Sequence, residues 1–355
     1  MNTKIINAKF SVLILFILIF GANNIVSAQN KELKTACIAF YNLENLFDTI
    51  DTEGVKDTEF TAKGSKAWTG KRFWRKVNNM SRVISQIGDE FMKRGPAIIG
   101  VSEIENRTVL ESLLKTDYLK NSNYKIVHYD SPDRRGIDVG LMYRADYFTV
   151  TNSRSVYFTV PDSINPYDDE FRSRSQLVVS GLLNGEKIHI IVNHWPSRRG
   201  GEKVSGPLRE AAADLCRHSA DSILAINPNA KIFMMGDLND DPVNASVVKH
   251  LRAKKRLKDM KKGDFYNPYA LRYNRGIGTT AYRDAWSLFD QIIVTPAVLS
   301  RKIGTYHFKK AKIFRKKFLL QKTGKYEGYP KRTFSFDKFQ NGYSDHFPVY
   351  VVLKK

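Results

Sequence analysis

The segment GDLND, residues 236–240, places two carboxylates and an amide directly after the apolar run KIFMM. Such a run predicts a buried strand, and a strand end is a rigid platform for short polar side chains. Asp237 and Asn239 are two residues apart, so they point the same way where strand geometry continues. Residues 240–242, DDP, are ordinary signals for a turn or a helix start and require no chemistry. This segment alone is compatible with a functional site or with a turn.

Polar side chains of the same kinds recur at the ends of other predicted strands. The segments are YNLEN, GVSEIEN, VNHW, LFDQIIV and YSDHFPV, and the side chains are Asn42, Glu44, Glu103, Glu105, Asn193, His194, Asp290, Asp345 and His346. Polar groups at one strand end can arise by chance, whereas their repetition at most ends indicates a shared rim. Carboxylates that converge on a rim repel one another unless a cation holds them.

The types of these side chains indicate metal-assisted hydrolysis of a phosphoester. Oxygen ligands favour a hard divalent cation, so we expect Mg²⁺ or Mn²⁺. Histidines beside such a cation supply proton transfer and stabilise transition-state charge. The sequence therefore predicts a metal site with two histidines at one edge of a sheet.

Short apolar runs predict the strands that hold these groups, and helical spacing predicts the layers that cover them. The predicted strands are 36–42, 97–104, 139–144, 177–183, 187–194, 231–237, 288–295 and 347–353. Apolar residues recur at helical spacing from Phe73 to Phe91, and residues 207–225 are strongly helical. Hairpins mixed with strand–helix units predict an α/β arrangement of sheet layers covered by helices. No linker is evident, so we expect one domain over residues 29–355.

In this order, from FYNLEN through GVSEIEN, VNHW, GDLND and LFDQIIV to YSDHFPV, the motifs resemble the endonuclease/exonuclease/phosphatase superfamily. Its members include pancreatic deoxyribonuclease, abasic-site endonucleases, inositol polyphosphate phosphatases and neutral sphingomyelinases. The resemblance covers nearly the whole chain after the first residues. It implies an α/β fold, a four-layer sandwich of two stacked mixed β-sheets flanked by helices, with the active site at the sandwich rim.

The resemblance also implies a role for each matching residue. Glu103 corresponds to the main metal carboxylate, with Asn42, Glu44 and Asp345 as its neighbours. Many relatives have aspartate at the position of Glu44, which leaves direct metal ligation by this residue open. Glu105 matches no role in the set, and we read it as a supporting or surface residue.

The catalytic roles follow from the same motifs. The resemblance implies that Asp237 orients or deprotonates the attacking water and that Asn239 helps to hold the phosphate. His346, paired with Asp290, corresponds to the residue that acts on a nonbridging oxygen or as a general acid–base. His194 matches the second histidine of deoxyribonuclease-like members, whereas abasic-site endonucleases carry a tyrosine there.

Several residues next to these motifs are candidates for substrate binding. Arg198 directly follows the VNHW motif, and Arg174 lies in RSRSQLVV, so each could clamp a phosphate. Asn193 precedes His194 and is a third candidate. An arginine in a loop is more often solvated than bound to substrate, so both interpretations of the arginines stay open.

The formal net charge of +21 is concentrated in residues 253–262 and 301–332. Such a field attracts nucleic acid or an anionic membrane, although a basic surface can also be merely solvated. The segment KIFRKKFLLQK, residues 312–322, alternates apolar and basic residues. It could touch an anionic membrane, or it could pack on the domain with its lysines outward.

The first residues predict export from the cell. Lys4 and Lys9 precede an apolar run at 10–20, and VSAQ follows at 26–29, which is typical of a signal peptide over residues 1–28. The run is shorter than the roughly 20 apolar residues that span a bilayer. We therefore expect a periplasmic or secreted protein with no transmembrane segment in its mature chain. The two cysteines, Cys37 and Cys216, fit two separately buried thiols better than a disulfide framework.

The sequence thus predicts an exported, monomeric, divalent-metal-dependent phosphodiesterase, and most directly a nuclease of low sequence specificity. The basic field would hold a phosphate backbone without reading bases. One alternative is a lipid phosphodiesterase of the sphingomyelinase kind, or a phosphatase acting on small phosphorylated metabolites. Another is an inert binding module, which would not need both histidines and the carboxylates.

Overall fold

Apolar and β-branched runs form two mixed β-sheets in this computed structural model, which describes residues 35–167 and 171–355. The first sheet contains β1 (Thr35–Leu46), β2 (Ile98–Ile104), β3 (Tyr124–His128), β4 (Asp138–Arg144), β14 (His307–Ile313) and β17 (Val349–Lys354), in the order β14-β17-β1-β2-β4-β3. The second contains β5 (Phe148–Val156), β6 (Gln176–Leu183), β7 (Glu186–His194), β8 (Lys231–Asp237), β9 (Ala253–Lys254), β10 (Phe265–Tyr266) and β13 (Asp290–Val294), in the order β5-β6-β7-β8-β13-β10-β9.

Helices and two short hairpins complete the described elements. The helices are α1 (Gly70–Gln86), α2 (Arg107–Leu114), α3 (Glu202–Ile226) and α4 (Ala270–Tyr273). The hairpins are β11 (Thr280–Tyr282) with β12 (Ala285–Ser287), and β15 (Phe334–Ser335) with β16 (Lys338–Phe339). The predicted signal peptide, residues 1–28, lies outside the described residues.

The two sheets stack face to face between layers of helices. A Cβ at Gly100 in β2 would lie 2.6 Å from the sulfur of Met235 in β8, so the two sheets approach closely at this glycine. On the other face of the first sheet, Leu110 of α2 packs beside Gly140 of β4. Met234, which alternates with Met235, belongs instead to the apolar cluster that α3 covers. These contacts confirm the predicted four-layer sandwich.

Strand direction brings the polar strand ends to one rim. In the first sheet β1 runs parallel to β2, and in the second β7 runs parallel to β8, so the carboxyl ends of each pair coincide. β13 runs antiparallel to β8, and its first residue, Asp290, pairs with Asp237 at the end of β8. His194, at the end of β7, pairs with Asp237 from the other side. The shared rim that the sequence predicted is therefore present.

Two predicted segments differ in detail from the structure. The helical pattern extended to Phe91, but α1 ends at Gln86, because Gly88 has a φ of 74° that breaks the helix. Segment 312–322 contains the end of β14 and a 3₁₀ turn, Lys317–Leu319. Phe314 and Leu319 in this segment are buried in the core. Its apolar side chains thus pack inward, as the second of the two interpretations predicted.

Cys37 and Cys216 are both buried and unpaired, as predicted. Burial raises the pKa of each thiol to about 12, so both are protonated and unreactive at neutral pH. Within residues 35–167 and 171–355, no helix has the length and apolar character needed to cross a membrane.

Candidate active site

Bulges at the ends of β1 and β2 aim the polar side chains of the first sheet. The pairing of these strands shifts register between Asn42 and Leu46, and β2 shifts against β4 between Ser102 and Ile104. Glu103 lies in the second bulge and has a φ of 56°, which is unfavourable for a residue with a Cβ. Such strain persists where surrounding contacts hold it, and it clusters at functional sites.

Two carboxylates and an amide meet at the centre of the rim. The Nδ2 atom of Asn42 donates to Glu103 Oε1 and to Asp237 Oδ2, each at 3.0 Å. The Nε2 atom of His194 lies 3.9 Å from the same oxygen of Glu103 and 3.8 Å from that of Asp237. Strands from both sheets therefore contribute to a single cluster, which we call the central cluster: Asn42, Glu103, His194 and Asp237.

A histidine–aspartate pair lies beside the central cluster. His346 Nδ1 is 2.7 Å from Asp290 Oδ2, and His346 Nε2 is 3.8 Å from Asp237 Oδ2. Burial, the largest single contribution, lowers the pKa of His346, but the charges of Asp290 and Asp237 together raise it well above its usual value. His346 is therefore a charged imidazolium whose free edge faces the central cluster.

The other titratable groups of the cluster shift in directions that complement this charge. Burial raises the pKa of Asp237 to about 6, with His346 opposing the shift and Asp290 adding to it. Burial lowers the pKa of His194 well below its usual value, and the charges of Arg174 and Arg135 add to this effect. The site thus combines one neutral histidine with one charged histidine on either side of Asp237.

The central cluster has the chemistry of a divalent-cation site. Ligand atoms of Glu103, His194 and Asp237 all lie within 4.8 Å of one another. Carboxylate oxygens are donors that Mg²⁺ and Mn²⁺ prefer, and a cation would relieve the repulsion between the two acids. His194 presents Nε2 to the same two carboxylates. The residues present therefore fit a divalent metal.

Asn239 closes the rim on the second sheet. Its φ is 49°, its backbone N–H donates to Asp237 Oδ1 at 3.0 Å, and its Nδ2 donates to the carbonyl of Trp195 at 3.0 Å. The side chain is partly exposed beside Asp237. Asn239 therefore holds the Asp237 carboxylate and borders the space where a phosphate would lie.

Comparison with known proteins agrees with this geometry. A family model described as the Endonuclease/Exonuclease/phosphatase family matches residues 37–355. The chain belongs to this family. Among the curated proteins compared, none matches the sequence.

Solved structures with the same fold include members of this family with different activities. An endonuclease/exonuclease/phosphatase family protein from Bacteroides thetaiotaomicron is 18% identical, covers 91% of this chain and 98% of its own, and has a TM-score of 0.55. The Bacteroides thetaiotaomicron mannosyl-6-phosphatase Bt3783 is 18% identical, with 90% and 99% coverage and a TM-score of 0.52. The D. rerio TDP2 complexed with single strand DNA product is 13% identical, with 91% and 100% coverage and a TM-score of 0.52. At these identities the likeness shows the fold alone.

Glu44 and Asp345 were predicted to lie with Glu103 at the metal, but their carboxylates bind other residues. Glu44 Oε1 accepts from Nε of Arg332 at 3.2 Å, and Oε2 accepts from the backbone N–H of Thr333 at 2.6 Å. Asp345 Oδ2 accepts from the same guanidinium at 2.8 Å. The structure does not bring these two acids into the central cluster, because Arg332 ties them together beside it.

A buried lysine supports the same region. Lys76 of α1 is almost fully buried, and its Nζ donates to the carbonyl of Glu44 at 2.6 Å and to Thr333 Oγ1 at 2.5 Å. Burial lowers the pKa of Lys76, while burial and the charge of Asp345 raise that of Glu44. Lys76 and Arg332 were missed in the sequence, where Lys76 lies in an ordinary amphipathic helix and Arg332 in a basic run.

Asn193 does not reach the site. Its side chain is fully buried, its Nδ2 donates to the carbonyls of Ile191 and Met235, and its Oδ1 accepts from the indole of Trp195. The prediction that Asn193 binds substrate is therefore not supported by the structure. Its position one residue before His194 in β7 directs it to the opposite face of the strand.

The guanidinium of Arg198 is occupied by the loop that follows β8. Its Nε donates to the carbonyl of Asn239 at 2.9 Å, and its terminal nitrogens contact Glu202, Asp240 and Asp241. Because its donors are used in this way, Arg198 stabilises the GDLND loop and is not free to bind a phosphate. The sequence could not show that Arg198 binds this loop, because Asp240 and Asp241 are also ordinary signals for a helix start.

We expect Arg198→Ala to lower the free energy of unfolding by about 1–3 kcal/mol, because it leaves two buried acids with fewer donors. The measurement is urea denaturation followed by circular dichroism. Arg199→Ala is the matched control, since the guanidinium of Arg199 lies 4.4 Å over the ring of Tyr167 at the surface. Its cost should stay below about 1 kcal/mol. Unchanged stability together with a raised KM for the phosphoester in Arg198→Ala would instead indicate that Arg198 binds the phosphate of the substrate.

Arg174 is placed beside the central cluster. It is 6% exposed and donates to the carbonyl of Trp195 at 2.7 Å and to Asp133 Oδ2 at 3.3 Å. Its positive charge is close enough to lower the pKa of His194, after burial the largest contribution. Substrate binding by Arg174 therefore stays a prediction that its position allows.

Proposed function

We propose that this protein is a divalent-metal-dependent phosphodiesterase and, more narrowly, an exported, monomeric nuclease of low sequence specificity. The observation that carries the chemistry is the position of one Asp237 oxygen, which lies 3.8 Å from Nε2 of both His194 and His346. This spacing places one carboxylate oxygen between a neutral and a charged imidazole at the rim, where a phosphoester could be bound and a water deprotonated.

Glu103 and Asp237 would hold Mg²⁺ or Mn²⁺, and Asn42 would keep the two carboxylates together through its Nδ2. When bound, the ion would polarise a phosphoryl oxygen and offset the negative charge that develops during hydrolysis. Asp237 would orient the attacking water and accept its proton. Asn239 keeps the carboxylate in place through its backbone N–H.

The two histidines act on the phosphoryl oxygens. His346, held charged by Asp290, donates from Nε2 to a nonbridging oxygen and stabilises its negative charge. His194, held neutral by burial, donates one hydrogen bond without adding repulsion to the metal site. Because one histidine is neutral and the other is positively charged, the two can bind one phosphoryl group from two sides without repelling each other.

The narrower proposal of a nuclease rests on a basic strip, which we define as residues 315–332, beside His346. The strip contains seven lysines and arginines and one acid. Arg315 lies 5.1 Å over the ring of Trp286, and that ring stacks on Phe347 at 6.1 Å, next to His346. A cationic surface beside the site suits a nucleic acid, whose phosphate backbone it attracts. The similar D. rerio TDP2 was solved with a single strand DNA product.

The lipid alternative gains no support from the structure. Phe314 is buried, and Phe318 packs against it and against Tyr343. These rings therefore do not form the apolar surface that contact with a membrane needs. Export rests on the predicted signal peptide and stays part of the proposal.

The test of the proposed function is a hydrolysis panel with Mg²⁺ or Mn²⁺. The substrates are plasmid DNA, RNA, sphingomyelin, an inositol phosphate and bis(4-nitrophenyl) phosphate. We expect cleavage of DNA and of the aryl diester, and loss of both activities in excess chelator. Failure to hydrolyse any phosphoester with either ion would reject the proposal, and cleavage of monoesters alone would replace the nuclease by a phosphatase.

The basic strip gives a second expected result. Replacing Arg315, Lys316, Lys317 and Lys325 with glutamine should flatten the salt dependence of duplex DNA binding, by about 0.9 in the logarithmic slope for each phosphate that the variant no longer neutralises. The KM for DNA should rise, whereas hydrolysis of bis(4-nitrophenyl) phosphate should not change. The matched control replaces four exposed lysines near edge strand β9: Lys255, Lys258, Lys261 and Lys262. Equal salt slopes for both quadruple variants would show that the strip does not bind DNA.

A further inference from the structure

Two carboxylates beside the central cluster are held together by one guanidinium. Nε of Arg332 lies 3.2 Å from Glu44 Oε1, and its Nη2 lies 2.8 Å from Asp345 Oδ2. Glu44 is buried, and Asp345 is partly buried. A guanidinium does not lose its proton in a protein, and its planar fork can bind two acids at once. The two carboxylates therefore share a permanent positive charge.

A second cation binds Glu44 from helix α1. Nζ of Lys76 lies 4.0 Å from Glu44 Oε2, and the side chain of Lys76 is fully buried. The same Nζ donates to the carbonyl of Glu44 at 2.6 Å, which fixes the ammonium in place. We call Glu44, Lys76, Arg332 and Asp345 the acid–cation group. It contains two acids and two cations, so its charges balance within the protein.

Hydrogen bonds and chain connection place the acid–cation group at the edge of the central cluster. The backbone N–H of Glu44 donates to Asn42 Oδ1 at 2.8 Å, while Nδ2 of Asn42 donates to both carboxylates of the central cluster. On the other side, Asp345 directly precedes His346. A metal ion held by Glu44 and Asp345 would therefore be a neighbour of an ion held by the central cluster.

The charges along the rim match one divalent ion. Because the acid–cation group is neutral as a whole, it adds no net charge. Beside it, Glu103, Asp237 and Asp290 supply three negative charges, and the imidazolium of His346 supplies one positive charge. The two negative charges that remain equal the charge of one Mg²⁺ or Mn²⁺. A second ion would have to bind beside two fixed cations, which repel it.

We propose that Arg332 takes the place of a divalent cation between Glu44 and Asp345, so that the rim binds one metal ion instead of two. This inference rests on the proposed function in one respect, because it assumes that a divalent ion binds at the central cluster. Arg332 then supplies from the protein a positive charge of the kind that a second ion supplies in two-metal hydrolases. Removal of this guanidinium should turn Glu44 and Asp345 into ligands for an additional ion.

The experiment counts bound metal in the absence of substrate. The full chain is dialysed against Mn²⁺, and free and bound ions are measured by electron paramagnetic resonance. We expect the parent to bind one ion and Arg332→Gln to bind two, because glutamine cannot neutralise the two acids. Arg332→Lys keeps the positive charge and should bind one ion. The matched control for adventitious binding is Arg301→Gln, at an exposed arginine that precedes β14, which should also bind one.

A charge-balanced double variant tests whether Asp345 is itself a metal ligand. Arg332→Gln together with Asp345→Asn removes one charge of each sign, so the net charge of the rim does not change. We expect this double variant to bind one ion with the Kd of the parent. If Asp345 were a ligand of the first ion, the double variant would bind that ion more weakly, as we expect for Glu103→Gln. Such a loss would overturn the inference.

The remaining outcomes separate this inference from the proposed function. One ion in both the parent and Arg332→Gln would overturn the inference, and so would two ions in the parent, while either result leaves hydrolysis at the central cluster possible. A parent that binds no Mn²⁺ would reject both proposals. The expected pattern of metal binding in a protein that hydrolyses no phosphoester would retain the inference and reject the proposed function.

Discussion

Replacing Asp237 with asparagine is expected to lower kcat by about a hundred- to ten-thousand-fold, the usual contribution of a general base. The substitution keeps the size of the side chain but removes the charge that orients and deprotonates water. Asp237 Oδ2 is the atom on which Asn42, His194 and His346 converge. The loss should therefore fall on kcat rather than on KM.

The fold should survive this substitution. Asp237 is 2% exposed, and burial and the neighbouring Asp290 and Glu103 raise its pKa, which shows that its charge is unfavourable where it lies. Asparagine removes that unfavourable charge, so the free energy of unfolding should stay equal to that of the parent or rise. Urea denaturation beside steady-state kinetics checks both statements. A stable variant with parental kcat would show that Asp237 is not the base.

His346 needs a more careful substitution than alanine. Asp290 is fully buried, its Oδ2 is paired with His346, and its Oδ1 has no partner among the described residues. His346→Ala would leave this acid buried and unpaired, at a cost of about 3–5 kcal/mol. His346→Gln keeps an N–H that can reach Asp290 but cannot carry a positive charge. We therefore expect it to lose at least a hundredfold in kcat with a smaller loss of stability.

The double variant distinguishes a joint mechanism from independent contributions. Residues that act on the same transition state as a unit are strongly non-additive. Asp237→Asn with His346→Gln should therefore be little slower than the slower single variant. A product of the two single effects would show that the residues act in separate steps.

The sequence was sufficient to predict eight of the strands and the four residues of the central cluster. Asp237 and Asn239 follow an apolar run, and His194 ends another, so each position is set by strand geometry that a local pattern reveals. The central cluster then follows from parallel pairing, because β1 with β2 and β7 with β8 end at one edge. Local patterns and topology together fix this part of the site.

The surroundings of the site could not be predicted, because they depend on contacts distant in sequence. Arg332 binds Glu44 across 288 residues, and Lys76 reaches Thr333 across 257. Nothing local marks either cation, since lysine in an amphipathic helix and arginine in a basic run are ordinary. The same limit explains Glu44: its motif position suggested a metal ligand, while its actual partners come from the far end of the chain.

Replacing Glu103 with glutamine is expected to raise the Mg²⁺ concentration for half-maximal activity at least tenfold and to lower kcat. Glu103 is the carboxylate that a bulge turns into the central cluster, where Oε1 faces Asn42 and Oε2 accepts from the N–H of Asn45 at 2.9 Å. Glutamine keeps the size of the side chain but supplies a neutral, weaker ligand. The ion would then be held by one carboxylate, that of Asp237, instead of two. The effect should therefore appear in metal affinity as well as in turnover.

A thermal measurement separates metal binding from activity. A ligand that binds only the folded state raises Tm, so excess Mg²⁺ should raise the Tm of the parent but not that of Glu103→Gln. Glu105→Gln is the matched control: this acid is two residues away, but its carboxylate accepts from the N–H of Asp48 and the hydroxyl of Thr52, outside the cluster. Burial raises the pKa of Glu105 to about 7, so both variants are compared at pH 8, where the parent acid is ionised. If Glu103→Gln and Glu105→Gln respond to Mg²⁺ alike, the metal does not bind at the central cluster.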